Sequence, residues 1–177
     1  METSTQDLRK LYGGEAIFDE SSQEEVTLDG IVIAAAGIKR IGRAGEVTQY
    51  LSVDDMIPAP AQGTLALEVR ADNLELLTKL DALSDEKTDL CVQAERGFLK
   101  RIGGDCHTPV AAFCDVNASG KLELRAMYGT EDGSKLASTK VSEADVAGCV
   151  SEKKKLAKMV EVAAQKICEE LGELRFS

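Results

Sequence analysis

Hydrophobic positions recur along this chain in different rhythms, and each change of rhythm marks a change of element. Ile31 to Ala36 (IVIAAA) is a short, unbroken apolar run. It predicts a strand buried on both faces, as in a parallel sheet. Residues 57–63 (IPAPAQG) hold two of the three prolines and predict an extended connector, since proline removes a helix donor. Gly63 to Arg70 alternates, with Leu65, Leu67 and Val69 on one face, and predicts a second strand. Then a helical period begins. Leu74, Leu76, Leu77, Leu80 and Leu83 predict a helix capped by Asp72 or Asn73. Leu90, Cys91, Ala94, Phe98 and Ile102 predict another, capped by Ser84 or Asp85 and ended by Gly103-Gly104.

From Pro109 the period falls to two. Val110 to Val116, the alternating set Leu122, Leu124, Ala126 and Tyr128, and Leu136 to Val141 predict three strands. Turn signals at 117–120 and 131–133 separate them, which makes a meander. Leu156, Met159, Val160, Ala163, Ile167, Cys168 and Leu171 then predict an amphipathic helix ending near Gly172. Residues 84–177 thus read as helix, three-stranded antiparallel sheet, helix, an α+β unit able to close its own core. Residues 1–29 are polar; Leu8 to Leu11 could end a helix, and the acidic run Asp19–Glu25 predicts an exposed loop.

Composition narrows the class. The chain has 177 residues, 44% hydrophobic and 29% charged, so it can bury a core without disulfide staples. Aromatics are only 4% and tryptophan is absent, which leaves the core to aliphatic side chains. A net charge of −10 argues against nonspecific nucleic-acid binding and against docking on an anionic membrane. The absence of an apolar signal region and the five cysteines without a CxxC predict reduced thiols in a cytoplasmic compartment, a plastid stroma being the alternative. With a single histidine no metal site is expected.

Three places could carry chemistry. In the loop Gly103-Gly104-Asp105-Cys106-His107-Thr108-Pro109, two glycines and a proline turn the chain between a helix and a strand. Such a loop can present Cys106, or it can be a turn with an incidental thiol; Asp105 beside it would raise the thiol pKa. Lys39, Arg40 and Arg43 follow the predicted 31–36 strand, where ligands gather in open α/β sheets. Paired cations there suit carboxylates, and the alternative is a solvated helix start. Gln62 ends the proline-rich connector.

Taken together, DGIVIAAAGIKRIG, PAPAQGTLALEVR and AERGFLKRIGGDCHTPVAAF resemble, in order and spacing, the C-terminal half of the porphobilinogen deaminase (hydroxymethylbilane synthase) family. The resemblance covers residues 29–140. It implies three domains: residues 1–61 as the last part of a second, periplasmic-binding-protein-like α/β domain, residues 62–83 as a crossover into a first domain, and residues 84–177 as a third, cofactor-carrying α+β domain. The implied activity is head-to-tail polymerisation of porphobilinogen to linear hydroxymethylbilane, with release of ammonia. Growth starts on a dipyrromethane cofactor held by a thioether, and Cys106 matches the attachment cysteine. Arg40 matches an arginine that binds acetate and propionate groups; Lys39, Arg43 and Gln62 are its neighbours in the implied substrate site.

The family's catalytic aspartate has no counterpart in this chain, so no catalytic residue is identified here. Met1 to Asp7 contains no arginine where the family has cations. The resemblance therefore implies a chain incomplete by itself, with porphobilinogen and pyrrole polycarboxylates as ligands and a separate N-terminal half as a partner. The alternative is a noncatalytic relative that binds a tetrapyrrole or a protein, in which Cys106 stays a free thiol.

Overall fold

A computed structural model describes residues 17–19, 24–26, 30–103, 108–130, 132–143 and 151–172. The chain divides into two compact units, Met1–Tyr50 and Leu51–Ser177.

The second unit realises the α+β expectation. Among the described residues its elements are helix α2 (Leu74–Asp81), helix α3 (Glu86–Ile102), strands β3 (Val110–Val116), β4 (Leu122–Gly129) and β5 (Leu136–Ser142), and helix α4 (Glu152–Leu171). The strands form one antiparallel sheet in the order β3-β4-β5, with Cys114 opposite Leu124 and Leu124 opposite Val141. The period-2 pattern sets the face: Leu122, Leu124 and Ala126 of β4 point inward. Helices α3 and α4 lie against that face and against each other. Their stripes are those the sequence spacing gives: Cys91, Ala94, Phe98 and Ile102 on α3, and Leu156, Met159, Val160, Ala163, Ile167 and Leu171 on α4. Phe98, Leu124, Met159, Ile167 and Val141 are the largest fully buried side chains. Each contributes roughly 1.5–3 kcal/mol relative to exposure.

The helix ends follow from local chemistry. Asp85 caps α3 by accepting the Thr88 N–H at 2.8 Å, and Ser151 caps α4 by accepting the Lys154 N–H at 3.4 Å. These bonds satisfy donors that have no partner inside the helix. Gly103 and Gly172 end the two helices in the left-handed region, at φ 70° and 84°, where a Cβ is unfavourable.

Residues 63–83 behave differently. The predicted strand Gly63–Arg70 is not a strand: it joins no sheet among the described residues, and Leu65 and Leu67 are 90% and 64% exposed. Helix α2 forms, capped by Asn73 through the Leu76 N–H at 3.1 Å, but buries none of its residues. Its alternating and helical patterns demand a partner surface, and none of the described elements supplies one.

In the first unit, β1 (Ile17–Asp19) and β2 (Glu24–Val26) pair antiparallel, Ile17 opposite Val26. The acidic run is thus a hairpin whose residues 20–23 lie outside the described set, not a plain loop. The predicted helix end at Leu8 to Leu11 also lies outside it. The 31–36 strand is corrected as well. Residues 31–34 have no sheet partner among the described residues, and helix α1 (Ala35–Arg40) begins inside the run. A strand buried on both faces needs neighbours on either side; here Val32 is 66% exposed and only Ile38 of α1 is buried.

Candidate functional site

Cys106 and His107 lie outside the described residues, within the 104–107 segment. What stands on either side is well fixed. Gly103 turns the chain off α3, its N–H bonding back to Leu99 and Lys100 carbonyls. On the far side the Thr108 carbonyl accepts the Val110 N–H and the Pro109 carbonyl accepts the Gly129 N–H, both at 2.8 Å. In the sequence, Cys106 thus follows the end of a core helix and precedes the start of a core strand. At the helix end, Arg101 forms a two-point ion pair with Glu161 of α4, at 2.8 and 3.2 Å. The guanidinium hydrogen bond holds the Glu161 carboxyl below the usual range.

The proline-rich connector is seated on the same helix and strand. The Pro58 carbonyl accepts the Ala112 N–H of β3 at 3.1 Å. The Ala61 N–H donates to Glu95 Oε2 at 2.6 Å, and the other carboxylate oxygen, Oε1, accepts the Cys114 N–H at 2.8 Å. Glu95 is 6% exposed and is the one buried charged residue among those described. A buried carboxylate is costly unless its lone pairs are bonded, so this one acts as a three-way tie of α3, β3 and the connector. Ala61 adopts φ 64°, a left-handed conformation that a non-glycine residue holds only when its surroundings enforce it. Gln62, next in the chain, is exposed, its N–H bonded to the Ala59 carbonyl at 3.0 Å. Sequence reasoning missed Glu95; the available signal was a carboxylate on the apolar stripe of α3, between Ala94 and Phe98.

Lys39, Arg40 and Arg43 sit at and just beyond the C-terminal end of α1, not after a strand. Cations there complement the negative end of a helix dipole. They are not equivalent. Arg43 is clamped by Glu46, Nε to Oε1 at 2.6 Å, and this bond lowers the Glu46 carboxyl pKa. The Lys39 ammonium lies 5.2 Å from the Tyr50 ring centroid, within cation–π range. Arg40 is exposed and forms no ion pair with any described residue. No group of three metal-ligating side chains occurs among the described residues, and no described helix is long and apolar enough to cross a membrane.

These features describe an α+β protein with a cluster of cations at the end of α1 and a cysteine in the sequence between α3 and β3. Comparison with known proteins makes the class specific. Residues 18–79 match the family model described as porphobilinogen deaminase, dipyromethane cofactor binding domain, and residues 89–169 match that of the porphobilinogen deaminase C-terminal domain. The chain belongs to the porphobilinogen deaminase family. It is 48% identical over 118 residues to a porphobilinogen deaminase of Lachnospira eligens, an alignment covering 67% of this chain and 40% of that protein. A porphobilinogen deaminase 1 of Streptomyces avermitilis is 48% identical over 113 residues, covering 62% and 35%. The Clostridioides difficile porphobilinogen deaminase is 41% identical over 113 residues, covering 64% and 37%. The chain thus spans two fifths or less of the length of these relatives. Arg40 and Gln62 fall in the first matched segment, Cys106 in the second.

Proposed function

We propose that these 177 residues form the cofactor-carrying part of a hydroxymethylbilane synthase, a cytoplasmic transferase that joins porphobilinogen units head to tail with loss of ammonia. One observation carries the reading: the cysteine of a Gly-Gly-Asp-Cys-His loop stands between α3 and β3, within a segment that matches the family's C-terminal domain. A thiol is the right residue for this task. As thiolate it is a soft nucleophile, and the thioether it forms persists while other bonds are made and broken. Bound at Cys106, a dipyrromethane supplies the pyrrole terminus from which the product grows.

The donor set suits such a group. Acetate and propionate side chains require cations, and Arg40 has a guanidinium uncommitted among the described residues, with Lys39 and Arg43 beside it. Gln62 extends from a connector that Glu95 holds in place, so its position is set by the same helix that leads to the Cys106 loop. In this reading residues 1–61 are the end of a periplasmic-binding-protein-like second domain and 84–177 the third domain. The bare leucines of 63–83 are supported by the assignment of 62–83 to a crossover, since that stretch would be covered by a first α/β domain. General-acid catalysis at the aminomethyl group comes from that other part.

The test is the mass of the chain purified, together with the N-terminal part of a relative, from a porphobilinogen-producing host. A covalent adduct of dipyrromethane size is expected on the peptide holding Cys106. It should vanish in Cys106→Ser and persist in Cys91, Cys114, Cys149 and Cys168 replacements. An adduct retained by Cys106→Ser overturns the assignment, and an unmodified Cys106 favours a binding-only relative.

A further inference from the structure

We propose that Arg125 is a positioning residue: with Asp54 it buckles residues 54–62 around β3 and so fixes Gln62 on the unit that carries Cys106. The inference rests on the synthase reading, in which Gln62 belongs to the substrate site.

The segment meets three layers of the second unit in turn. Leu122, Leu124 and Ala126 of β4 face the helices, so Glu123 and Arg125 lie on the opposite face of the sheet. Asp54 reaches that outer face, where its Oδ1 accepts the Arg125 Nε–H at 2.7 Å. Pro58 reaches the free edge, its carbonyl accepting the Ala112 N–H of β3 at 3.1 Å. Ala61 reaches the helix layer, its N–H bound by Glu95 of α3. The chain thus passes round the edge strand from one face to the other. The strand it wraps is the one that follows Cys106 in the sequence.

The outer face is built to receive an acid. Arg125 stands directly opposite Lys140 of β5. Like charges in that position repel each other. Glu123 takes both cations on one oxygen: Oε1 lies 2.9 Å from Arg125 Nη2 and 2.8 Å from Lys140 Nζ. One carboxylate cannot answer two cations, and Asp54 supplies the second. Its carboxyl is held below the usual range, first by the hydrogen bond from Arg125 and then by the Arg125 charge, with a smaller contribution from Lys140. The Arg125 side chain is 14% exposed and that of Asp54 71%, so the arginine is the anchor and the aspartate the end that docks. An ion pair with so exposed a carboxylate adds little to global stability. What it sets is where the segment crosses the sheet.

The experiment compares Asp54→Ala, Arg125→Leu, their double variant and Gln62→Ala. Hydrogen exchange is read on the 177-residue chain, and kcat and KM for porphobilinogen on the chain mixed with the N-terminal part of a relative. In Asp54→Ala the Gln62 and Ala112 amides should exchange several-fold faster, while the Leu124 amide and the thermal midpoint keep their parent values. The value of kcat/KM should fall on the order of tenfold, as for a loosened positioning group. The loss should be the same in Arg125→Leu and in the double variant, and should not deepen when Asp54→Ala is added to Gln62→Ala. Unchanged exchange at Gln62 and Ala112, or losses that multiply between Asp54→Ala and Gln62→Ala, overturns the proposal. A parent mixture without turnover counts against the synthase reading alone, and the exchange result then decides whether Arg125 holds the segment.

Discussion

Helices α2 and α3 are neighbours in sequence, both capped by a side chain and both amphipathic, yet one buries a full stripe and the other buries nothing. On α3, Phe98 and Ala94 are wholly enclosed between the sheet and α4. On α2, Leu74 is 71% exposed, and in the preceding extended stretch Leu65 is 90% exposed. Capping and periodicity decide whether a helix forms; tertiary contact decides whether it adds stability. The α3–β3–β4–β5–α4 assembly closes its apolar core within itself and also seats the connector. Residues 63–83 carry the pattern of a buried segment without the surface that buries it. An exposed leucine is ordinary by itself, but a cluster of them along one segment marks a contact surface.

Substitution should separate the two regions cleanly. Phe98→Ala is expected to cost about 3–5 kcal/mol of unfolding free energy. Leu65→Ala and Leu74→Ala should each stay within about 0.5 kcal/mol in the 177-residue chain. Urea titrations of the three variants measure this; a large loss at Leu65 or Leu74 would mean that 63–83 is already packed.

The connector lies at the border of the two behaviours, and Glu95 is its tether. Glu95→Gln keeps the shape but offers one acceptor where two N–H donors converge. A loss of about 1.5–3 kcal/mol is expected, as for a hydrogen bond to a charged group. Hydrogen exchange should quicken at the Ala61 amide. Unchanged exchange there would remove Glu95 from its assigned role.

The smallest effect belongs to the β4–β5 turn. The Asp132 carboxylate accepts from the Thr130 hydroxyl at 2.5 Å and from the Ser134 N–H and hydroxyl at 3.0 and 2.8 Å, which lowers its pKa to about 2. A folded pKa below the unfolded one, about 3.9, contributes stability that is present above the unfolded value and lost as pH falls through the folded one. Asp132→Asn should therefore lower stability slightly at neutrality and leave the acid limb shallower below about pH 4. An NMR titration of Asp132 with an ordinary midpoint would contradict it.

Much of the self-contained assembly was legible in residues. Asp85 as cap, Gly103 and Gly172 as stops, and the alternation 122, 124, 126 each report a local requirement that the finished fold keeps. The 31–36 and 63–70 segments were misread as strands because alternation and apolar runs report the burial a segment needs, not the pairing it finds. The three cations looked alike as a charge run; only coordinates show Arg43 held by Glu46 and Lys39 over Tyr50. Glu95 escaped notice because a lone carboxylate in a helix usually faces water, and its partners are backbone groups distant in sequence. Cys106 stood out through its loop and through resemblance, not through any charge pattern.

The central proposal is that these residues carry the cofactor cysteine, with an α/β part outside them covering 63–83 and completing catalysis. It is tested most directly by assaying hydroxymethylbilane formation from porphobilinogen. The chain is measured alone and with an added N-terminal part, and hydrogen exchange is followed across residues 63–83 in the same mixtures. The account predicts no turnover by the chain alone, turnover on mixing, and slowed exchange at 63–83 only in the mixture. Robust turnover by the chain alone, or mixing that restores activity while 63–83 stays unprotected, would contradict it.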